Sequence, residues 1–178
     1  MMRRPILIDI IRRHVAGMAA VEFALTAPLL ILLFLGTFQV TDAVGAKRKL
    51  GIATRAIADL TTQYTSISSS EADSILQSSN QIMAPYNAAP GTFVVSQVYV
   101  SPAGAATVQW SRARNGTART VGASVTLPVG VAQNDSYVIV AESSYPYTPT
   151  VGLAIVPTIT MTELIYMYPR LSDSVNLQ

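Results

Sequence analysis

Half of the 178 residues are apolar and only 12% are charged, about half the ~25% charge of an ordinary soluble domain. Part of the chain is therefore expected to face something other than water. With no cysteine and a single histidine, His14, the chain cannot build a disulfide, a thiolate metal site, a cysteine nucleophile, a histidine cluster or a Ser-His-Asp triad.

The net charge of +2 is unevenly spread. Residues 1–17 hold Arg3, Arg4, Arg12 and Arg13 against Asp9, whereas residues 18–178 hold eight Lys/Arg against nine Asp/Glu. Basicity belongs to the first seventeen residues, so no nucleic-acid partner is expected.

From Phe23 to Thr41 no residue is charged. As a helix this run rises ~28 Å, close to the ~30 Å thickness of a bilayer core. Pro28 stands in its first turns, where a membrane helix tolerates it as a mild kink. Residues 18–40 are read as a transmembrane helix. Lys47, Arg48, Lys49 and Arg55 follow the run much as the four arginines precede it, so flanking charge alone does not orient it.

The helical signal continues past the apolar run. Ala43, Ala46, Leu50, Ala53, Ile57, Leu60 and Tyr64 step by threes and fours, a narrow apolar seam. Lys47, Lys49, Arg55, Asp59 and Thr62 lie off it. One helix from about residue 18 to about 63 is predicted, with the seam assigned first to the protein's own core and second to helix assembly. After the polar break TSISSS (65–70), Ser70-Glu71-Ala72-Asp73 offers a capping-box-like start. Ala72, Ile75, Leu76, Ile82, Met83 and Tyr86 then form the apolar face of a second helix.

From Thr92 the period changes to two. TFVVSQVYV (92–100), the turn SPAG and AATVQWSR (105–112) read as a hairpin. VGASVTL (121–127), YVIVAESSY (137–145) and TITMTELIYMY (158–168) continue the strand pattern, with GLAIV (152–156) as a further candidate. The fold class expected is α+β: a long N-terminal membrane-spanning helix extending into a domain in which a second helix packs on a small antiparallel sheet. The expected divisions are 1–17, 18–40, 41–90 and 91–178.

Other signals are weak. Asn115-Gly116-Thr117 reads as a sequon or a turn. Arg112, Arg114 and Arg119 read as a solvated rim, and Tyr145-Pro146-Tyr147-Thr148-Pro149 as stiff packing. Glu142, Glu163, Asp135 and Asp173 show no pairing suited to acid–base work. No enzymatic activity and no cofactor is expected.

The opening segment is more specific. Arg12, Arg13 and His14 precede Gly17, and Met18 to Val40 is a predominantly apolar run whose one charged residue is Glu22, the fifth residue after the glycine. An ordinary secretory signal is cut behind its hydrophobic run. A cut after Gly17 would instead remove the basic leader and leave the apolar helix on the protein. An acid near lipid is costly and usually has a use.

This arrangement resembles the prepilin signal of type IV pilins. Gly17-Met18-Ala19-Ala20-Val21-Glu22-Phe23 and the continuation to Ala43 resemble TadE-like proteins, the minor pseudopilins of the tight-adherence (Flp, type IVb) pilus. The likeness covers residues 15–60; Met18 and Phe23 depart from the phenylalanine and tyrosine common at those places.

The resemblance implies a pilin-like fold and a role in pilus assembly. Gly17 would be the last leader residue, read by a prepilin peptidase, and Met18 the new N-terminus. Glu22, with Phe23 beside it, would serve subunit assembly. The partners implied are that peptidase, other pilins and pseudopilins, and membrane lipid. The implied location is the bacterial inner membrane, single-pass, with the N-terminus cytoplasmic and the C-terminal domain periplasmic. Two alternatives are compatible with the same residues: a secreted protein cut after Ala46, and an uncleaved bitopic anchor presenting a binding domain.

Overall fold

A computed structural model describes the backbone of residues 6–149 and 157–178 and the side chains of residues 17–149 and 157–178. The candidate strand 152–156 lies outside the described residues. The chain divides into two compact units, Met1–Asp42 and Ala43–Gln178.

Helix α1 spans Ile6–Thr62 and carries Pro28 within it. Its start lies well ahead of residue 18, the start expected from the apolar run. The backbone of the basic leader is helical too, as its residues Ile6 to Arg13 contain no breaker. In the first unit the side chains from Gly17 to Thr41 are exposed or half-exposed, including Leu25 at 74% and Phe34 at 72%. Among the described residues this is one helix long and apolar enough to cross a membrane. Its hydroxyls are satisfied within the helix: Thr26 donates to the Glu22 carbonyl (2.9 Å), Thr37 to Leu33 (2.8 Å) and Thr41 to Thr37 (2.9 Å). Such back-bonding keeps polar atoms paired where water is absent.

The second unit is an α+β domain. Its chain order is the last turns of α1, β1 (Ser66–Ile67), α2 (Ser69–Gln77), α3 (Ser79–Met83), β2 (Thr92–Val100), β3 (Ala106–Arg114), β4 (Ser136–Tyr147), β5 (Ile159–Met167) and β6 (Asn176–Leu177). Strands β2 to β5 form an antiparallel sheet in the order β3-β2-β4-β5. The hairpin β2–β3 closes through Ser101, whose N–H bonds the Ala105 carbonyl, and Gly104, whose φ of +83° suits a residue without a Cβ.

The seam of α1 packs on this sheet. Ala46, Leu50, Ala53 and Ile57 are fully buried and join Phe93, Val95, Trp110, Ile139, Ala141, Tyr145 and Tyr147 in the main core. Burying Leu50 and Ile57 contributes about 1.5–3 kcal/mol each. The helix-to-core reading of the seam therefore holds, with two departures. Leu60 is 39% exposed, and Thr62, expected off the seam, is fully buried. Thr54 and Thr61 are buried beside it and donate to the Leu50 and Ile57 carbonyls, both at 2.8 Å. Their hydroxyls hide from a hydropathy pattern because the helix itself supplies their partners.

Four further expectations change. The capping box lies two residues earlier than read: Ser68 caps α2, its Oγ accepting from Glu71 N–H (3.2 Å) while Glu71 Oε2 accepts from Ser68 N–H (2.8 Å). The second helix breaks at Ser78 into α2 and α3. The polar break at 65–70 holds β1, which pairs in parallel with β6. Residues 121–127 are no strand of the sheet. They meet β3 through one isolated bridge, Thr107 to Ser124, and a few backbone bonds. The alternating Val125 and Leu127 instead cover a second core on the opposite face of the sheet, made of Val98, Val100, Ala106, Val108, Val138 and Val140.

The end of the chain is tied into the domain. Val175 is fully buried, its carbonyl accepts from Trp110 Nε1 (2.7 Å), and its N–H donates to Gln97 Oε1 (2.6 Å). Ser69 N–H donates to the Gln178 carbonyl and Gln178 N–H to the Ile67 carbonyl. These bonds satisfy buried polar groups across 65 and 78 residues of sequence.

Candidate functional site

Gly17, Met18, Glu22 and Phe23 all lie on α1. A Cβ added at Gly17 would meet nothing within 4 Å, so this glycine is not demanded by local packing. Met18 and Phe23 are 65% and 69% exposed, and Glu22 is exposed as well. Met18 and Glu22 are four apart and share one helix face, about one turn from each other. Glu22 forms no ion pair among the described residues. The helix thus presents a carboxylate on an otherwise uncharged, uncovered surface.

The charges of the α+β domain are used differently. Lys47 reaches Glu163 at 2.5 Å and also the Thr162 carbonyl, tying α1 to β5. Arg170 pairs with Asp59 at 2.6 Å. Arg112 grips Asp73 with two bonds, 3.1 and 2.5 Å, from β3 to α2. Arg114 donates to Ser79 and Asn80, and Arg119 holds Glu142 at 2.5 Å. That hydrogen bond from Arg119 to Glu142 pushes the Arg119 guanidinium above its usual range, against a smaller opposing effect of burial. The three arginines expected as a solvated rim are therefore internal ties. Each finds an acid or hydroxyl that is distant in sequence but adjacent once the strands register.

Asn115 resolves toward its turn reading. It has a φ of +53°, and its side-chain nitrogen donates to the Ala89 and Gly91 carbonyls at 2.9 and 3.2 Å. Tyr145 and Tyr147 are buried in the main core, as stiff packing residues should be. Of the scattered acids, Glu142 and Glu163 are ion-paired and Asp135 accepts from the Tyr99 hydroxyl at 2.9 Å.

One arrangement emerges only in the fold. Arg48, Ile52 and Arg55 step by four and three along the outer side of α1 and line a groove opposite β5. Its sequence signal is an i, i+4, i+7 spacing, which the stronger apolar seam on the opposite side of the helix masks.

An exposed apolar helix with one acid near its start, leading into an α+β domain, defines the class: a domain carried on a candidate membrane anchor. The family model described as TadE-like protein matches residues 17–59. The chain is thus TadE-like over that segment, in the stretch where the sequence resemblance lies. No curated protein and no solved structure matches the chain.

Proposed function

We propose that this chain is a membrane-anchored minor pseudopilin that takes part in assembling a tight-adherence pilus, acting by association rather than catalysis. The observation that carries the reading is the TadE-like match, which begins at Gly17 and leaves the basic leader outside it. In this account a prepilin peptidase of the inner membrane cuts after Gly17. Met18 becomes the N-terminus, and the domain from residue 43 onward stands on the periplasmic side.

The cut creates an α-amine with a pKa near 8, mostly charged at neutral pH. Glu22 lies roughly 6 Å further along the helix axis. A neighbouring helix displaced by about one turn brings its own amine to this carboxylate. In low dielectric that pairing offsets a desolvation cost of several kcal/mol for each ion, so one register is favoured over others. Exposure of Glu22 and of the apolar residues around it supports the reading, since such a surface needs lipid or other helices to cover it.

The secreted alternative fits less well. Ala46 is fully buried in the core, and a Cβ on Gly45 would stand 2.5 Å from the Tyr86 hydroxyl. A cut after Ala46 would sever the core helix inside its packed stretch.

The test is the N-terminal residue of the mature protein isolated from its native cell, together with a Glu22→Ala variant. The reading expects Met18, and expects Glu22→Ala to be cut normally yet fail to enter the assembly. A mature protein beginning at Met1 or Lys47 refutes the maturation step, and normal incorporation of Glu22→Ala refutes the register role.

A further inference from the structure

Within the α+β domain a groove of about 690 Å³ runs between α1 and β5. Arg48, Ile52 and Arg55 form one wall, Ile165 and Met167 the other, and Gly51 leaves the floor open. A Cβ at Gly51 would already touch the Glu163 carboxyl group at 3.7 Å.

The groove has an excess of positive charge. Its two acids are taken, Asp59 by Arg170 and Glu163 by Lys47. Arg48 and Arg55 have no acidic partner among the described residues, and Ile52 between them is 56% exposed. An apolar side chain flanked by two uncompensated guanidiniums suits a surface that offers an apolar contact between two carboxylates. Arginine in particular binds carboxylate through paired hydrogen bonds.

The α+β domain of a second copy is a poor source of those acids. In the α+β domain Asp59, Asp73, Glu142 and Glu163 are ion-paired, Glu71 holds the cap of α2, and Asp135 accepts from Tyr99. Asp173 alone does not provide two carboxylates at the required separation. We propose that the groove receives an amphipathic helix of a different protein, with carboxylates at i and i+7 and an apolar residue between them. The two guanidiniums are carried by residues about 10 Å apart along α1, which is the rise of seven residues on a partner helix. This inference rests on the groove alone and stands whether or not the leader is removed.

The test places p-benzoylphenylalanine at position 52 of the full-length chain in its native cell, with position 121, exposed on the loop after β3, as control. After illumination the adducts are mapped by peptide mass spectrometry. The expected result is an adduct at position 52, absent at 121, joined to a helix of another protein bearing acids seven residues apart. Arg48→Glu with Arg55→Glu is expected to reduce its yield about tenfold, and exchanging the partner's two acids for arginine is expected to restore it. Arg48→Gln with Arg55→Gln, which removes charge without reversing it, is expected to give a smaller loss. Retained fluorescence of buried Trp110 shows that each variant is folded. An adduct to a second copy of this chain, an adduct to lipid alone, no adduct, or a yield unchanged by charge reversal overturns the proposal.

Discussion

The buried contact between Thr54 on α1 and Ser143 on β4 offers a test of how the helix is fixed to the sheet. Thr54 Oγ1 donates to the Leu50 carbonyl (2.8 Å) and lies 2.5 Å from Ser143 Oγ. A hydroxyl has one proton, so with Thr54 committed to Leu50 it is Ser143 that donates to Thr54. The residues are 1% and 5% exposed, leaving water little access. Thr54→Val keeps the shape but removes the acceptor, stranding a buried serine hydroxyl at a cost of about 1–3 kcal/mol. Ser143→Ala leaves Thr54 still bonded to Leu50 and costs about 0.5–1.5 kcal/mol. With both changed, no hydroxyl is stranded, so the double variant should lose less than the two singles together, by a coupling of about 1–2 kcal/mol. Urea unfolding of the full chain in detergent, followed by the fluorescence of Trp110, measures all three variants. The chain has one tryptophan, and it is buried in the core that holds this contact. Strict additivity, or a harmless Thr54→Val, would refute the donor assignment and the claim that this bond helps to fix the helix on the sheet.

Three further outcomes are expected. Removing residues 174–178 takes away β6, the buried Val175 and the acceptor of Trp110 Nε1. The loss should be about 3 kcal/mol or more, seen as a lower urea midpoint and a red-shifted Trp110 emission. The capping box should depend on pH. Hydrogen bonds from the Ser68 backbone and side chain hold the Glu71 carboxyl below its ordinary value. Its stabilising effect is therefore complete above that ordinary value and is lost as pH falls through the lower folded value. Hydrogen-exchange protection of the Ser68 amide should decline in that acidic window, and Glu71→Gln should abolish the pH dependence. Asp73→Asn, which breaks a pair roughly two-fifths exposed, should cost no more than about 1 kcal/mol, in contrast to Thr54→Val.

Much of the architecture was legible because it is written in short-range periods. The uncharged run from Phe23 to Thr41, the seam from Ala46 to Ile57 and the alternation in β2, β4 and β5 each follow from which side chains share a face. Where local pattern has two solutions, the sequence does not choose between them. Ser68 and Ser70 both precede an acid by three residues, and only the path of the chain out of β1 selects Ser68 as the cap. Residues 121–127 alternate as a strand does, yet β3 takes up only an isolated bridge and a few backbone bonds from them. Within the candidate site, the spacing of Gly17 and Glu22 was fully visible, since both belong to one helix.

By itself the sequence determined the apolar helix, its single acid, the basic leader and the change from a helical to a strand period at Thr92. Each of these is set by neighbours within a few residues, and the physical forces that read them act over one helical turn or one strand repeat. Tertiary structure alone decided which charges are spent and which remain. Thr54 finds Ser143 across 89 positions and Lys47 finds Glu163 across 116, partnerships fixed by strand register and by the closeness of α1 to the sheet. The same packing leaves Arg48 and Arg55 unmatched beside an exposed isoleucine. Charges that look alike along the chain differ in the fold because compensation depends on distance in space, and sequence separation does not encode it.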